Sequence, residues 1–157
     1  MKILSIAVPC YNSQDYMEHC VETLLTGGEK VEIIIVDDGS KDGTAEIADR
    51  LAEKYPTIIK AVHQENGGHG EAVNTGIKNA TGVFFKVVDS DDWLGEEALA
   101  TLLEKLEMFS NSGEDAVNVP DLVLCNYIYD KVGVKNKKVI NYKGYLPLNR
   151  TFTWKDV

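Results

Sequence analysis

Short apolar runs alternate with stretches whose apolar residues recur every three or four positions through roughly the first hundred residues, the signature of βαβ units around a mostly parallel sheet. Residues 3–8 read as a first strand. Met17, Cys20, Val21, Leu24 and Leu25 then recur at helical spacing, with Asn12 or Ser13 as N-cap and Gly27-Gly28 as the stop. The run Ile33-Ile34-Ile35-Val36 suits a central strand covered on both faces. Ala45, Ala48, Leu51, Ala52 and Tyr55 form a second helical stripe ending at Pro56. A third strand over about residues 58–62 feeds a polar, glycine-rich stretch. Residues 71–80 predict a short helix with Ala72, Val73 and Ile77 facing inward and Gly82 closing it. A fourth, buried strand covers residues 83–88. Glu96 and Glu97 open another helix, where their charge suits the N-terminus, and Leu99, Leu102, Leu103 and Leu106 line its buried side until the pattern fades near Phe109. Residues 110–120 read as a loop, 122–129 as a strand and 131–142 as a hairpin.

A chain of 157 residues with 44% hydrophobic and 26% charged content is long enough for one domain with a proper core. Its 16 basic and 25 acidic side chains leave a formal charge of -9, which repels nucleic acid and anionic lipid. The cluster Lys135-Asn136-Lys137-Lys138 is too small to reverse that. An anionic ligand such as a phosphate ester would therefore need a cation or helix N-termini to hold it. The 3 cysteines, Cys10, Cys20 and Cys125, are widely spaced in apolar segments and read as reduced core residues, which implies a cytoplasmic setting. The apolar stretch at residues 3–8 is too short for a signal peptide and no segment approaches a membrane span. Peripheral association with the inner face of a membrane stays open.

In open α/β sheets ligands bind beyond the carboxyl ends of the strands, and the unusual residues fall there. The first strand ends in Pro9-Cys10-Tyr11-Asn12 and the second in Asp37-Asp38-Gly39-Ser40. The third leads to Asn66-Gly67-Gly68-His69-Gly70, and the fourth ends in Asp89-Ser90-Asp91-Asp92-Trp93. If residues 89–91 stay extended, Asp89 and Asp91 point the same way, roughly 7 Å apart, and can share one divalent ion, while Asp92 points elsewhere. No glycine-rich turn follows the first strand, and Val73 stands where the run at residues 67–70 would need its last glycine, so a dinucleotide fingerprint is absent. There is no Gly-x-Ser-x-Gly elbow for a serine hydrolase. His19, His63 and His69 lack metal-ligand spacing; His63 reads as a strand-end cap and His19 as a structural or exposed helix residue.

Four motifs in order, Val8-Pro9-Cys10-Tyr11-Asn12, Val36-Asp37-Asp38-Gly39-Ser40 with Asp42-Gly43-Thr44, Asn66-Gly67-Gly68-His69-Gly70 through Asn74-Thr75-Gly76, and Asp89-Ser90-Asp91-Asp92, resemble a family two glycosyltransferase of GT-A fold. The likeness runs from about residue 3 to residue 108. It implies an α/β fold with a Rossmann-like, mostly parallel sheet flanked by helices and a less regular C-terminal strand and hairpin region. Residues 1–110 would form the nucleotide-sugar (donor) binding region and residues 111–157 the start of an incomplete acceptor side.

The resemblance implies that Pro9 and Tyr11 line the pocket for base and ribose and that Asp38 accepts a hydrogen bond from uracil, a role that an acceptor-only carboxylate suits. Asp37 shares that role or braces its turn. Gly67, Gly68 and Gly70 let backbone approach the ligand and expose N–H groups near a helix start, and His69 is a diphosphate or sugar contact or an exposed loop residue. Asp89 and Ser90 belong to the nucleotide-sugar site, and Asp91, with Asp89, holds Mn²⁺ or Mg²⁺ against the diphosphate. Ser40, Asp42 and Thr44 read as caps, Lys86 as a snorkelling side chain and Trp93 as a packing anchor. The implied reaction moves a sugar from a nucleotide donor, a UDP-sugar above all, to a glycan, lipid-linked or other hydroxyl, with inversion. That displacement needs a general base; Asp121, Asp130 and Asp156 sit in no recognisable motif for it. The open alternatives are the N-terminal portion of a longer transferase and a non-catalytic nucleotide-sugar binding module.

Overall fold

The computed structural model describes residues 1–111, 119–130, 137–147, 150–153 and 155. Two compact units are present, Met1–Asn111 and Ser112–Val157. In the first, the order is β1 (Leu4–Cys10), α1 (Met17–Leu25), β2 (Val31–Asp37), α2 (Thr44–Lys54), β3 (Ile59–His63), α3 (His69–Asn79), β4 (Phe84–Val87) and α4 (Glu96–Ser110). The strands form one 4-stranded sheet in the order β3-β2-β1-β4, and every pairing in it is parallel. The predicted βαβ alternation is thus present, with ends shifted by a residue or two.

The period-2 alternation of strand side chains divides the core between the two faces of the sheet. Leu4, Ile6, Val8 and Cys10 of β1 join Val31, Ile33 and Ile35 of β2 on one face, covered by Met17, Val21 and Leu24 of α1, Leu51 of α2 and Leu99, Leu103 and Leu106 of α4. Ile34 and Val36 face the other way, onto Ala72 of α3. Each fully buried aliphatic side chain contributes about 1.5–3 kcal/mol, so the larger cluster dominates stability. β2 lies between β1 and β3 and is buried along nearly its whole length, as its unbroken apolar run requires.

Several expectations need correction. β4 is an edge strand, not a fully buried one: Phe85 and the neighbouring Val83 are exposed. Helix α3 begins at His69 and turns Ile77 outward, 52% exposed, while Gly76 faces inward. The reason is a close approach: a Cβ on Gly76 would stand 2.5 Å from the Ala7 Cβ, so the face of α3 that meets β1 is its smallest one. Helix α1 has Tyr16 at its N-cap with no side-chain cap; Ser13 supplies its carbonyl to the Tyr16 and Met17 amides instead of its hydroxyl. Cys10 and Cys20 are buried free thiols, but Cys125 is exposed.

In the second unit the strand expected over residues 122–129 shortens to β5 (Tyr127–Tyr129), which pairs antiparallel with β6 (Lys138–Ile140). The hairpin therefore joins two segments read separately in the sequence. Residues 112–118 of the expected loop and 131–136 of the expected hairpin lie outside the described residues. No helix among the described residues is long and apolar enough to cross a membrane.

Candidate active site

All four loops singled out in the sequence leave the same end of the parallel sheet, and side-chain hydrogen bonds stitch them together. Asn12, just past β1, has a left-handed φ of 52°, a conformation that asparagine tolerates better than most residues. Its Oδ1 accepts the Lys41 amide at 2.8 Å and its own amide donates to Ser40 Oγ at 3.0 Å, which ties the β1 loop to the β2 loop. Ser13 and Ser90 share a hydroxyl hydrogen bond of 2.8 Å, tying the β1 loop to the β4 loop. The Ser13 amide donates to Thr44 Oγ1 at 2.8 Å, and that hydroxyl donates to Asp42 Oδ1 at 2.6 Å. Ser40 and Asp42 thus join loops as well as serving the start of α2.

Asp37 and Asp38 are buried, 4% and 3% exposed, and a buried charge must be matched by polar partners. Asp38 Oδ1 accepts Gln64 Nε2 and the Gly67 amide, both at 2.8 Å, and Oδ2 accepts the Gly68 amide at 2.8 Å. Burial pushes its pKa up, but the hydrogen bonds from Gly67, Gln64 and Gly68 together outweigh it and hold the carboxyl below its usual range. Asp37 Oδ1 accepts the Ser40 amide at 3.0 Å, while Oδ2 lies 3.1 Å from His63 Nδ1. Gly39, between these carboxylates and the next loop, has a φ of +69°, and a Cβ there would stand 2.9 Å from the Asn66 amide nitrogen. Only glycine fits that crossing without displacing backbone.

The amides of Gly67 and Gly68, expected to meet a ligand, hold the chain's own Asp38 carboxylate instead. His69 opens α3 and places Nε2 2.9 Å from Asp89 Oδ1, which joins the β3 and β4 loops. Residues 89–92 do not continue the strand: β4 stops at Val87 and the Asp92 amide donates to the Asp89 carbonyl at 2.9 Å, closing a β-turn. The extended-strand argument for a shared direction of Asp89 and Asp91 is replaced by turn geometry. Both carboxylates are exposed.

The turn concentrates negative charge. The Asp92 pKa is raised, first by burial and then by the charges of Asp91 and Asp89, with Lys86 opposing. Among the described residues no group of three or more His, Cys, Asp or Glu side chains is arranged to hold a metal unaided. A hard cation shared between one or two carboxylates and ligand phosphates asks for less, and the exposed Asp89 and Asp91 are oxygen donors of the type it takes; of the two, Asp89 faces a concavity shared with His69 and Asp92, and Asp91 does not.

Two concavities flank this network. One of about 590 Å³ lies among His69, Gly70, Asn74, Val87, Asp89 and Asp92; the other, about 520 Å³, lies among Tyr11, Gly39, Lys41, His63, Gln64 and Asn66. Tyr11, 52% exposed, is on the second. Pro9, buried within β1, lines neither of the two. Asn74 lines the first cavity and its amide also reaches Glu71 at 3.3 Å. Trp93 is 45% exposed and meets the His19 ring edge-on at 5.4 Å.

Gln64 and Lys41 escaped the sequence reading, and His63 was underrated there. A polar pair directly after a strand, beside a glycine run, is the signal that could have found Gln64 and His63. Lys41 carries no such signal; only the fold brings it to Tyr11.

A parallel sheet with helices on both faces and its polar loops gathered at one end defines an open α/β domain, and its solved neighbours place the fold in the GT-A type. The chain belongs to glycosyl transferase family 2, whose family profile matches residues 5–119. The glycosyltransferase GlyG of Streptococcus pneumoniae is 38% identical over 133 residues, 83% of this chain and 41% of GlyG. Staphylococcus aureus TarS (residues 1–349) in complex with UDP-GlcNAc matches with a TM-score of 0.58 and 32% identity over 70% of this chain and 32% of that one. The mannosyltransferase PcManGT of Pyrobaculum calidifontis, in complex with GDP-Man and Mn²⁺, matches with a TM-score of 0.59 and 27% identity over 69% of this chain and 32% of that one. The chain thus spans between about a third and two fifths of the matched chains.

Proposed function

We propose that this chain is the donor-binding portion of a metal-dependent glycosyltransferase that moves a sugar from a UDP-sugar to an acceptor hydroxyl, with inversion, in glycan or cell-surface polysaccharide synthesis. The observation that carries this reading is the cross-linking of four strand-end loops into one network, through Asn12–Ser40, Asp38–Gly67 and Gly68, Ser13–Ser90 and His69–Asp89. The UDP-GlcNAc bound by TarS and the GDP-Man and Mn²⁺ bound by PcManGT support a nucleotide-sugar donor and a divalent ion.

In this reading Tyr11 offers its exposed ring to the base beside Gly39 and Gln64. Asp38 Oδ2 accepts the Gly68 amide, and a carboxylate oxygen can accept a second donor such as the uracil N–H. Gly67, Gly68, His69 and Ser90 shape the floor beneath the diphosphate, and Asp89 and Asp91 would hold Mn²⁺ or Mg²⁺. Such an ion supplies Lewis-acid neutralisation of the departing nucleoside diphosphate. The general base belongs to an acceptor half, to be sought in the part of the relatives that this chain does not span. Asp130 is ion-paired with Lys137 and is a poor candidate. The free, buried thiols of Cys10 and Cys20 support a reducing, cytoplasmic setting.

Calorimetric titration of UDP in the presence of Mn²⁺ tests the reading. Binding is expected to weaken about tenfold or more in Asp91→Asn, the loss of one charge-assisted contact. Equal, metal-independent affinity in the two proteins refutes the metal-bridged donor site.

A further inference from the structure

His63 stands between two carboxylates from different elements. Its Nδ1 is 3.1 Å from Asp37 Oδ2 at the end of β2, and its Nε2 is 3.0 Å from Asp49 Oδ1 on α2. Ionised carboxylates only accept, and neutral imidazole has a single N–H, so both contacts are hydrogen bonds together only when the ring is imidazolium. The two ends of this arrangement differ. The Asp37 side chain is 6% exposed and the Asp49 side chain 70%.

We infer that His63 is a positioning residue of the nucleotide pocket: clamped as imidazolium between Asp49 and Asp37, it holds Asp37 in the orientation that fixes the 37–40 turn. The inference rests on the donor-pocket reading above and adds to it a residue acting through another.

Two buried carboxylates adjoin in the chain, and they are compensated by different means. Asp38 is matched by a side-chain amide and two backbone amides, none of which titrates. Asp37 is matched by the Ser40 amide and by His63. The Ser40 amide lies in the turn whose Gly39 and Lys41 line the cavity of about 520 Å³ together with His63 itself. The neighbouring Gln64 amide donates to the Asp37 carbonyl at 3.0 Å, so the β3 end grips the backbone of Asp37 as well as its side chain. From β2 the ring faces Asp37 and from α2 it faces Asp49; the charged groups sharing its cavity are Lys41 and Glu65.

Deprotonation must break the clamp at one end. A neutral ring that keeps its N–H on buried Asp37 turns a lone pair toward Asp49, and that exposed carboxylate swings into water. The hydrogen bonds to Asp49 and then to Asp37 raise the His63 pKa above its ordinary value, against burial. A raised value means that the clamp is complete below about pH 6.5, the ordinary histidine value, and is lost as pH rises through the raised one.

The test is UDP affinity between about pH 5 and pH 9, which covers the ordinary histidine range of about pH 5–8 and a raised value above its middle, in wild type, Asp49→Asn and His63→Gln, with the imidazole titration followed by NMR. The ionisation of UDP is common to all three proteins and cancels in their ratios. Asp49→Asn replaces an exposed side chain outside the pocket, so it keeps the test intact even where His63→Gln folds poorly. Wild-type affinity is expected to fall about fivefold across the transition, a modest coupling between sites. In Asp49→Asn the midpoint of that fall and the His63 pKa move down together, and in His63→Gln the step disappears. Superimposed profiles for wild type and Asp49→Asn overturn the inference alone. Absence of UDP binding by the wild type at every pH overturns the donor-pocket reading with it.

Discussion

Replacing Asp38 by asparagine keeps the side chain's size and removes its charge and part of its accepting capacity. Three in-chain donors meet this carboxylate, Gln64 Nε2 and the Gly67 amide at Oδ1 and the Gly68 amide at Oδ2, each at 2.8 Å. Asparagine retains one carbonyl oxygen and turns its NH₂ group toward the remaining amide, donor against donor. A hydrogen bond to a charged group contributes about 1.5–3 kcal/mol and a neutral one about 0.5–1.5 kcal/mol. Losing one charged bond outright and weakening two therefore costs about 4 kcal/mol at a carboxylate that is 3% exposed. For a chain of this size that is a fall in Tm of about 12 °C. The pH dependence has a definite sign. Burial raises the Asp38 pKa but the hydrogen bonds outweigh it, so the folded value is depressed. The stabilisation is then present above the unfolded value of about 3.9 and lost as pH falls through the depressed one. Circular dichroism melts at pH 7 and in acid are the assay. A Tm drop below about 3 °C at pH 7, or a gap between the proteins that persists in acid, refutes the assignment of Asp38 as the anion that organises residues 64–68.

Gly76→Ala should destabilise the chain by about 1–2 kcal/mol in urea titration, because overpacking against Ala7 outweighs the gain of up to about 1 kcal/mol in helix propensity; a stabilised variant refutes the close approach. A double-mutant cycle of Ser13→Ala and Ser90→Ala should give a coupling energy of about 0.5–1.5 kcal/mol in unfolding, the worth of one hydrogen bond between the β1 and β4 loops. Additive single effects remove that link.

Periodicity located every strand and α-helix of the first unit to within a few residues, because burial on one face or two leaves a local pattern. The Ile33–Val36 run announced a central strand, and β2 is buried along it. Chemistry was legible for a related reason: polar clusters after successive parallel strands must emerge at the same end of the sheet. The family resemblance followed from their order and agrees with the match over residues 5–119. Misreadings arose where a neighbour distant in sequence, or a local turn, decides the outcome. Ile77 has helical spacing for the core, yet the approach of α3 to Ala7 selects Gly76. Residues 89–91 look extended, yet the hydrogen bond from Asp92 to Asp89 folds them into a turn.

The sequence by itself determined the α/β class, the strands and helices of the first unit and the end of the sheet at which the polar loops gather, since all of these follow from local periodicity and chain direction. Only the tertiary structure decided that β4 lies at an edge, that the glycine loop closes on Asp38, and that His63 bridges Asp37 and Asp49. Those pairings join residues 14 to 30 positions apart, and nothing in a local pattern specifies which carboxylate will meet which donor once the loops converge.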